Sequence, residues 1–205
     1  MRRRVYLGEF SCEGFSGFDL EWLRGFRVLL LDANVLKDAA EGSAEAGFLR
    51  DLMMGCVEVH PGAVCCVPDF VRLEAFNMER YLFGSCSVRR FLRDVEKSRG
   101  GLYVEFKTPV RRVPADNRKI VLDVFPKEAR RVLIREFPEL SGTDCSLLLL
   151  AYVLRDCEVT VLLVSRDGVL GEAAATFGIP VSEPSGLREA LTRLGGLKSG
   201  GESEA

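Results

Sequence analysis

The chain has 205 residues and a formal net charge of −2, with 47% hydrophobic and 28% charged residues. These values predict one globular domain that buries a core without cross-links, and no apolar run reaches the length of a membrane span. The N-terminus is basic but has no apolar segment behind it, so we expect no signal peptide, no membrane partner and a cytoplasmic protein.

The predicted elements alternate strands with helices along most of the chain. Residues 1–26 form a weakly patterned N-terminal extension, in which Trp22 and Leu23 indicate a short helix, and the apolar run Arg27–Leu31 then predicts a buried strand. The remaining pattern predicts, in order, helices at about 34–40 and 43–55, a strand at 62–68, helices at 68–83 and 87–99, an extended stretch at 101–113, helices at 126–137 and 142–154, a strand at 158–165, a helix at 167–178 and a short strand at 179–184. Residues 195–205 have the composition of a disordered tail. The alternation predicts an α/β fold whose parallel sheet is covered by helices on both faces.

The cysteines and the histidine predict neither a disulfide framework nor a zinc site. The seven cysteines are odd in number, include no CxxC pair, and lie at positions 12, 56, 65, 66, 86, 145 and 157. We expect most of them to be small buried residues. The single histidine, His60, stands beside Pro61 in a predicted loop, and we assign it no role.

The charge is unevenly distributed along the chain. Residues 84–142 contain 14 Lys and Arg against 8 Asp and Glu, a local balance of +6, whereas the rest of the chain carries −8. Such a segment is usually a solvated helical surface. The alternative is a basic surface for phosphate groups beside an acidic pocket.

Three aspartates stand where the predicted strands and helices meet. Asp32 directly follows the first buried strand, and Asp167 follows the strand at 158–165 by two residues. Asp144 lies in the first turn of the most apolar helix. Asp144 and Asp167 could simply cap their helices. However, open α/β sheets place their sites at the carboxyl ends of strands, where the strand order reverses, so neighbouring strands would bring these carboxylates into one crevice.

A fourth acid, Glu74, is predicted to point inward from its helix. At a rotation of about 100° per residue, Glu74 lies near the middle of the face formed by Phe70, Val71, Asn77, Met78 and Tyr81. An isolated charge on such a face is costly. Considered alone, it would most simply pair with an internal arginine.

Four converging carboxylates would require cations. Two like charges about 4 Å apart repel by roughly 4 kcal/mol at an effective dielectric constant near 20. Arginine could neutralise them, but only Arg72 and Arg166 stand close to these acids in the sequence. Mg²⁺ or Mn²⁺ prefers carboxylate oxygen and would neutralise the cluster more fully. The acids therefore predict a divalent metal site.

Four sequence segments resemble the motifs of the PIN-domain nuclease family. They are LLLDANVL with Asp32, VPDFVRLEAFN with Glu74, SGTDCSLLLLAYVL with Asp144 and VLLVSRDGVLGEAAATFGIPV with Asp167, in this order over residues 27–182. The 70-residue spacing between Glu74 and Asp144 is longer than in the small toxin members of that family, and it contains the basic segment.

The resemblance implies a fold and an activity. The fold is a three-layer α/β/α sandwich around a mostly parallel central sheet, here a PIN-like domain over residues 27–194 with a basic insert at about 84–142. The activity is Mg²⁺- or Mn²⁺-dependent cleavage of phosphodiester bonds, usually in RNA, with Asp32, Glu74, Asp144 and Asp167 as catalytic, metal-binding acids. The resemblance further implies a hydroxyl at Ser165 that supports Asp167, and it allows a homodimer and an antitoxin or other protein partner.

Other residues have supporting or substrate-binding roles in this hypothesis. Thr143 and Asn34 are expected to support the site, although Asn34 is at least as well explained as a helix N-cap. Tyr103 and Phe106 could offer stacking surfaces to a single strand, although aromatic residues in such a pattern are more often in the core. The basic segment offers seven arginines to RNA: Arg89, Arg90, Arg93, Arg111, Arg112, Arg130 and Arg131.

Three alternatives remain open from the sequence. A PIN-like domain could bind RNA or a protein with little or no cleavage. LDANV and the late SRDGVLGEAAATFGIPV segment faintly resemble a haloacid-dehalogenase-type phosphatase, but that chemistry requires an aspartate where Asn34 stands and a lysine before the last motif. Finally, the four acids could be unrelated caps and ion pairs in a structural domain.

Overall fold

The computed structural model describes residues 2–57, 59, 62–81, 88–98, 103–108 and 117–199, with only the backbone for 79–81 and 195–199. The strands are β1 (Arg2–Tyr6), β2 (Arg27–Leu31), β3 (Ala63–Pro68), β4 (Tyr103–Lys107), β5 (Thr160–Val164) and β6 (Val181–Ser182). The helices are α1 (Gly17–Arg24), α2 (Ala33–Glu41), α3 (Gly47–Met54), α4 (Asp69–Tyr81), α5 (Val88–Lys97), α6 (Arg118–Val124), α7 (Lys127–Glu136), α8 (Gly142–Asp156), α9 (Gly168–Thr176) and α10 (Leu187–Ser199).

The strands form one six-stranded parallel sheet in the order β1-β4-β3-β2-β5-β6. All five residues of β2 are buried, and β3 and β5 are buried over most of their length, which explains why their sequences are continuous apolar runs rather than alternating ones. The chain starts the inner sheet at β2, adds β3 and β4 on one side, and then returns to add β5 and β6 on the other. The strand order therefore reverses between β2 and β5, and the carboxyl ends of these two strands face one crevice.

The helices cover the sheet in two groups. Helices α2, α3, α4 and α5 contact one another, and a second set of contacts joins α6 to α7 and α8, and α8 to α9. Since connections between parallel strands are right-handed, those from β2 through β4 and from β4 back to β5 place these groups on opposite faces. The predicted α/β class and three-layer α/β/α architecture are thus confirmed. The two groups meet where α4 contacts α8.

Several elements lie outside the predicted pattern. Residues 1–26, predicted as an extension, contribute the edge strand β1 to the same sheet, together with the expected short helix α1. Within the predicted basic insert, β4 pairs with both β1 and β3, so it is a regular strand of the sheet. Helices α6 and α10 were not predicted, and α10 overlaps the first five residues of the predicted tail at 195–205; residues 200–205 lie outside the described part.

The cysteines follow the prediction except at one pair. Cys65, Cys66 and Cys145 are buried free thiols, and Cys56 is an exposed one. Cys12 and Cys157, however, form a disulfide between Cα atoms 5.5 Å apart, a single bond that the cysteine pattern did not predict. The two residues are separated by 145 positions in sequence, so only the tertiary structure brings them together. Cys86 and His60 fall outside the described residues.

No helix in the described part of the chain combines the length and the apolar character that crossing a membrane requires.

Candidate acidic site at the carboxyl edge of the sheet

The crevice between β2 and β5 contains two of the predicted acids and the serine that joins them. Asp32 follows β2 and Asp167 follows β5, and their strands are paired neighbours. The Ser165 hydroxyl donates to Asp32 Oδ2 at 3.0 Å and accepts from the Asp167 backbone N–H at 3.0 Å. Ser165 therefore supports both aspartates: it orients the carboxylate of Asp32 and the backbone of Asp167.

Asp32 is a buried carboxylate, with 6% of the residue exposed. Its Oδ1 accepts from the Ala33 N–H at 2.6 Å, which makes Asp32 the N-cap of α2. Burial raises the pKa of Asp32 to about 6, the hydrogen bonds from Ser165 and Ala33 oppose the rise, and the carboxylates of Asp144 and Asp167 add to it. Asp32 thus interacts electrostatically with Asp144 and Asp167, and, as described below, with Glu74.

Asp144 enters from the N-terminus of α8. This helix precedes β5 in the chain, so its first turn lies at the carboxyl edge of the parallel sheet. Asp144 and Ser141 form a capping box: Asp144 Oδ2 accepts from the Ser141 N–H at 2.9 Å, and Ser141 Oγ accepts from the Asp144 N–H at 3.1 Å. The capping explanation and the proximity to Asp32 therefore both apply to this residue.

Glu74 reaches the same crevice from α4, at the point where α4 contacts α8. Burial raises the pKa of Glu74 to about 7, repulsion by Asp32 and Asp144 adds to the rise, and a hydrogen bond with Thr143 opposes it. Glu74 is half-buried, as its predicted inward orientation requires. The predicted face was only partly correct, because Phe70 and Val71 are buried whereas Asn77 is exposed.

The four acids are not neutralised by the arginines that stand near them in sequence. Arg72 pairs with Glu105 at 2.6 Å, and Arg166 pairs with Asp38 at 2.7 Å and Glu45 at 3.0 Å. Among the described residues, neither a lysine nor an arginine forms an ion pair with Asp32, Glu74, Asp144 or Asp167. The cluster therefore carries an excess of negative charge that the described side chains leave uncompensated.

The carboxylates are at present directed into helix caps. Asp167 Oδ1 accepts from the N–H groups of Val169 and Leu170 at 2.8 and 3.0 Å, so three of the four acids cap or lie within the first turn of a helix. Within the part of the chain that is described, no three His, Cys, Asp or Glu side chains are arranged so that they could hold a metal ion as they stand. Asp144 and Asp167 each use one carboxylate oxygen in these described hydrogen bonds.

Asn34 is not the N-cap of α2, and its predicted supporting role at the site stays a prediction. Asp32 is the N-cap of α2, so the N-cap explanation of Asn34 is wrong. Asn34 is the second residue of the helix and is exposed.

The predicted RNA-binding residues divide between surface and core. Arg89, Arg90 and Arg93 are exposed on α5, and on α7 Arg131 is exposed and Arg130 pairs with Asp123 at 2.7 Å. Arg111 and Arg112 lie outside the described residues. Tyr103 and Phe106 are core residues of β4, 1% and 0% exposed, so they offer no stacking surface, and the core explanation is the correct one.

The sequence pattern did not predict the charged cluster around Glu105. Glu105, in the middle of β4, is fully buried and pairs with four cations: Arg2, Arg4, Arg72 and Lys107. Burial favours the protonated form, but the bonds from Arg2 and Lys107 and the charge of Arg72 hold its pKa down, at about 2. An acid in the centre of an apolar strand is the signal that could have indicated it.

No protein-family model matches the sequence, and no curated protein matches it at a significant level.

Proposed function

We propose that this protein is a divalent-metal-dependent nuclease that hydrolyses phosphodiester bonds, with single-stranded or structured RNA as its substrate. The observation that carries the proposal is the meeting of Asp32, Glu74, Asp144 and Asp167, from four separate segments, at the switch point of a parallel sheet without a described cationic partner. Three of the four acids stabilise helix N-termini, but capping alone does not explain why the like charges meet in one crevice, where they repel one another.

The chemistry of the donor set supports Mg²⁺ or Mn²⁺ as the missing counter-charge. All four side chains are carboxylates, and Ser165 and Thr143 add hydroxyls that orient two of them. Asp32 would be the central ligand, since it is electrostatically coupled to all three other acids, and Asp144, which is coupled to Asp32 and Glu74, would be the second central ligand. Glu74 and Asp167 would bind at the periphery or through water. A bound cation would supply an activated water and neutralise the charge that develops on the phosphodiester.

The chain's own residues would prepare the site for that ion. Ser165 holds Asp32 in place, and Thr143 does the same for Glu74, so only Asp144 and Asp167 need to turn from their caps. Each cap is made through one oxygen, and breaking it costs on the order of 1 kcal/mol, which is less than the repulsion that a cation would relieve.

Two further features support RNA as the substrate and a PIN-like nuclease as the type. The α/β/α fold class that the PIN-domain resemblance implies is the class of this protein. The exposed arginines of α5 and α7 provide positive charge for a phosphate backbone. A homodimer and a protein partner such as an antitoxin belong to the same proposal, and they remain to be measured.

Cleavage of labelled single-stranded RNA in Mn²⁺, Mg²⁺ or EDTA tests the proposal. We expect the wild-type protein to cut only with metal, and Asp144→Asn, which keeps a capping side chain, to fold but to lose at least about 99% of the activity. Asp38→Asn, which changes a carboxylate that is paired with Arg166, is the matched control and should remain active. Cleavage that persists in EDTA would contradict the metal mechanism.

A binding module without cleavage is the second candidate, and a specific observation favours it: the described carboxylates are capped rather than arranged around a metal position. It predicts RNA binding that is unchanged by EDTA and by Asp144→Asn, with no product under any metal. Hydrolysis of small phosphomonoesters with intact RNA would instead support a phosphatase.

A further inference from the structure

A second site lies on the other side of α4, in an open pocket of about 480 Å³ between α4, α5 and β1. Four arginines line it, Arg2, Arg72, Arg89 and Arg93, together with Phe76, Leu92 and Glu96. Since residues 72 and 76 are one turn apart and residue 74 lies about 160° away from both, α4 presents this pocket and the acidic site on opposite sides.

The pocket has a surplus of positive charge. Arg2 pairs with Glu96 at 2.5 Å, and both Arg2 and Arg72 pair with the buried Glu105. Glu105 also pairs with Arg4 and Lys107. Glu96 and Glu105 are therefore the two carboxylates for six cations, namely these two, Arg2, Arg72, Arg89 and Arg93. The local excess is therefore large enough for a doubly charged anion.

Arg89 and Arg93 are the cations that remain for a ligand. Neither forms an ion pair with any described carboxylate. The Arg89 guanidinium lies over the Phe76 ring at 4.6 Å from its centroid, with Arg72 at 5.8 Å, and Arg93 Nε donates to the Arg89 carbonyl at 3.4 Å. These contacts place the guanidinium groups before a ligand arrives, which lowers the entropic cost of binding.

Two further donors in the same pocket lack an acceptor. Arg2 Nε and Arg72 Nε are buried, and within the described residues neither has a hydrogen-bond partner. Buried N–H groups without acceptors are unfavourable, so an anion that reached them would satisfy donors that the fold leaves open. Planar guanidinium groups match the oxygens of phosphate particularly well.

We propose that this pocket binds a phosphate monoester, the terminal phosphate of a nucleotide or of an RNA strand. A monoester dianion matches the charge surplus better than an internal phosphodiester, which carries a single charge. The volume is that of a small-molecule site rather than of a bare ion, and Phe76 and Leu92 supply apolar surface for the attached sugar and base.

The pocket lies about one helix diameter, roughly 10 Å, from the acidic site, because α4 separates the two. A phosphate bound there could belong to an RNA strand. The pocket would then hold the end of the strand a few nucleotides from the scissile bond. This assignment to a strand end rests on the proposed nuclease function, whereas phosphate binding itself does not.

Binding measurements in EDTA test the site independently of cleavage. Calorimetry with adenosine 5′-monophosphate, inorganic phosphate and adenosine tests for the phosphate requirement, and anisotropy with 5′-phosphorylated and 5′-hydroxyl forms of one RNA tests for the strand. We expect the monophosphate to bind at least about tenfold more tightly than adenosine. A similar preference for 5′-phosphorylated over 5′-hydroxyl RNA would show that the bound phosphate belongs to an RNA strand. If the two RNAs bind equally and adenosine 5′-monophosphate still binds tightly, the ligand is the free nucleotide.

The double variant Arg89→Gln/Arg93→Gln should abolish these preferences with little change in melting temperature, since both side chains are exposed. Arg193→Gln removes an exposed arginine on α10, which pairs with Glu189 at 3.3 Å, and should leave the preferences unchanged. Equal binding of monophosphate and adenosine, or a preference that survives the double variant, would overturn the proposal. Loss of nuclease activity alone would not affect it.

Discussion

Replacing Asp32 by asparagine should stabilise the protein when no divalent cation is present. The pKa of Asp32 is about 6, against an ordinary value of 3.8, and the residue is 6% exposed. A difference of about two pKa units corresponds to about 3 kcal/mol by which the charged carboxylate weakens the fold at high pH. Asparagine removes the charge and can still accept from the Ala33 N–H, as Asp32 Oδ1 does at 2.6 Å.

The sign of the pH dependence follows from the raised pKa. A carboxyl group whose folded-state pKa lies above its unfolded-state value is most favourable to the fold below pH 4, and this contribution is lost as the pH rises through 6. After about 1 kcal/mol is subtracted at each pH for the altered bond to Ser165, Asp32→Asn should stabilise the fold by about 2 kcal/mol at pH 8 and should be neutral or slightly destabilising at pH 4.

Urea denaturation in EDTA at pH 4, 6 and 8 measures the effect. Asp38→Asn is the matched control, because Asp38 lies in the same helix but pairs with Arg166, so its removal should be neutral or destabilising. Destabilisation by Asp32→Asn at pH 8, or a gain that does not depend on pH, would refute the idea that repulsion in this crevice weakens the fold.

Three further predictions follow from the same structure. Millimolar Mn²⁺ should raise the melting temperature of the wild-type protein by mass action, since free Mn²⁺ at 100 times its Kd adds about 2.7 kcal/mol to the free energy of unfolding. The same Mn²⁺ concentration should leave the melting temperature of Asp32→Asn unchanged. Glu105→Gln should cost about 3 kcal/mol in urea denaturation at pH 7, and because the pKa of Glu105 is lowered to about 2, the wild type should lose that advantage as the pH falls from 4.5 towards 2. Reduction of the Cys12–Cys157 disulfide should lower the free energy of unfolding by up to about 4 kcal/mol, measured by urea denaturation with and without reductant. The Cys12→Ser variant has no such bond, so reductant should not change its free energy of unfolding.

The sequence predicted the inner sheet because its strands are buried on both faces. After their first residues, Arg27–Leu31 and Thr160–Val164 are apolar without interruption, and this pattern identifies buried strands without any knowledge of their partners. Strand β1 could not be identified in that way, because Arg2, Arg3 and Arg4 are charged. Its stability comes from Glu105 on β4, about a hundred residues later in the chain.

The same distinction holds for the candidate site. Positions at strand ends indicated that Asp32 and Asp167 would lie together, since adjacent parallel strands end at one edge. The direction of each carboxylate depends instead on local hydrogen bonds, as the capping box of Asp144 with Ser141 illustrates. The arginine pocket requires β1, α4 and α5 to be placed in space, and no local pattern contains that information.

Strand β1 also determines how the sheet ends on one side. It pairs with β4 and is the outermost of the described strands, and its three consecutive arginines pair with Glu96, Glu105 and Asp19. Charged side chains on an edge strand make it a poor template for pairing with another strand. Without residues 2–6, the backbone of β4 would become the free edge, between the apolar side chains of Val104 and Phe106. The N-terminal strand therefore covers the β4 edge, in addition to supplying Arg2 to the pocket.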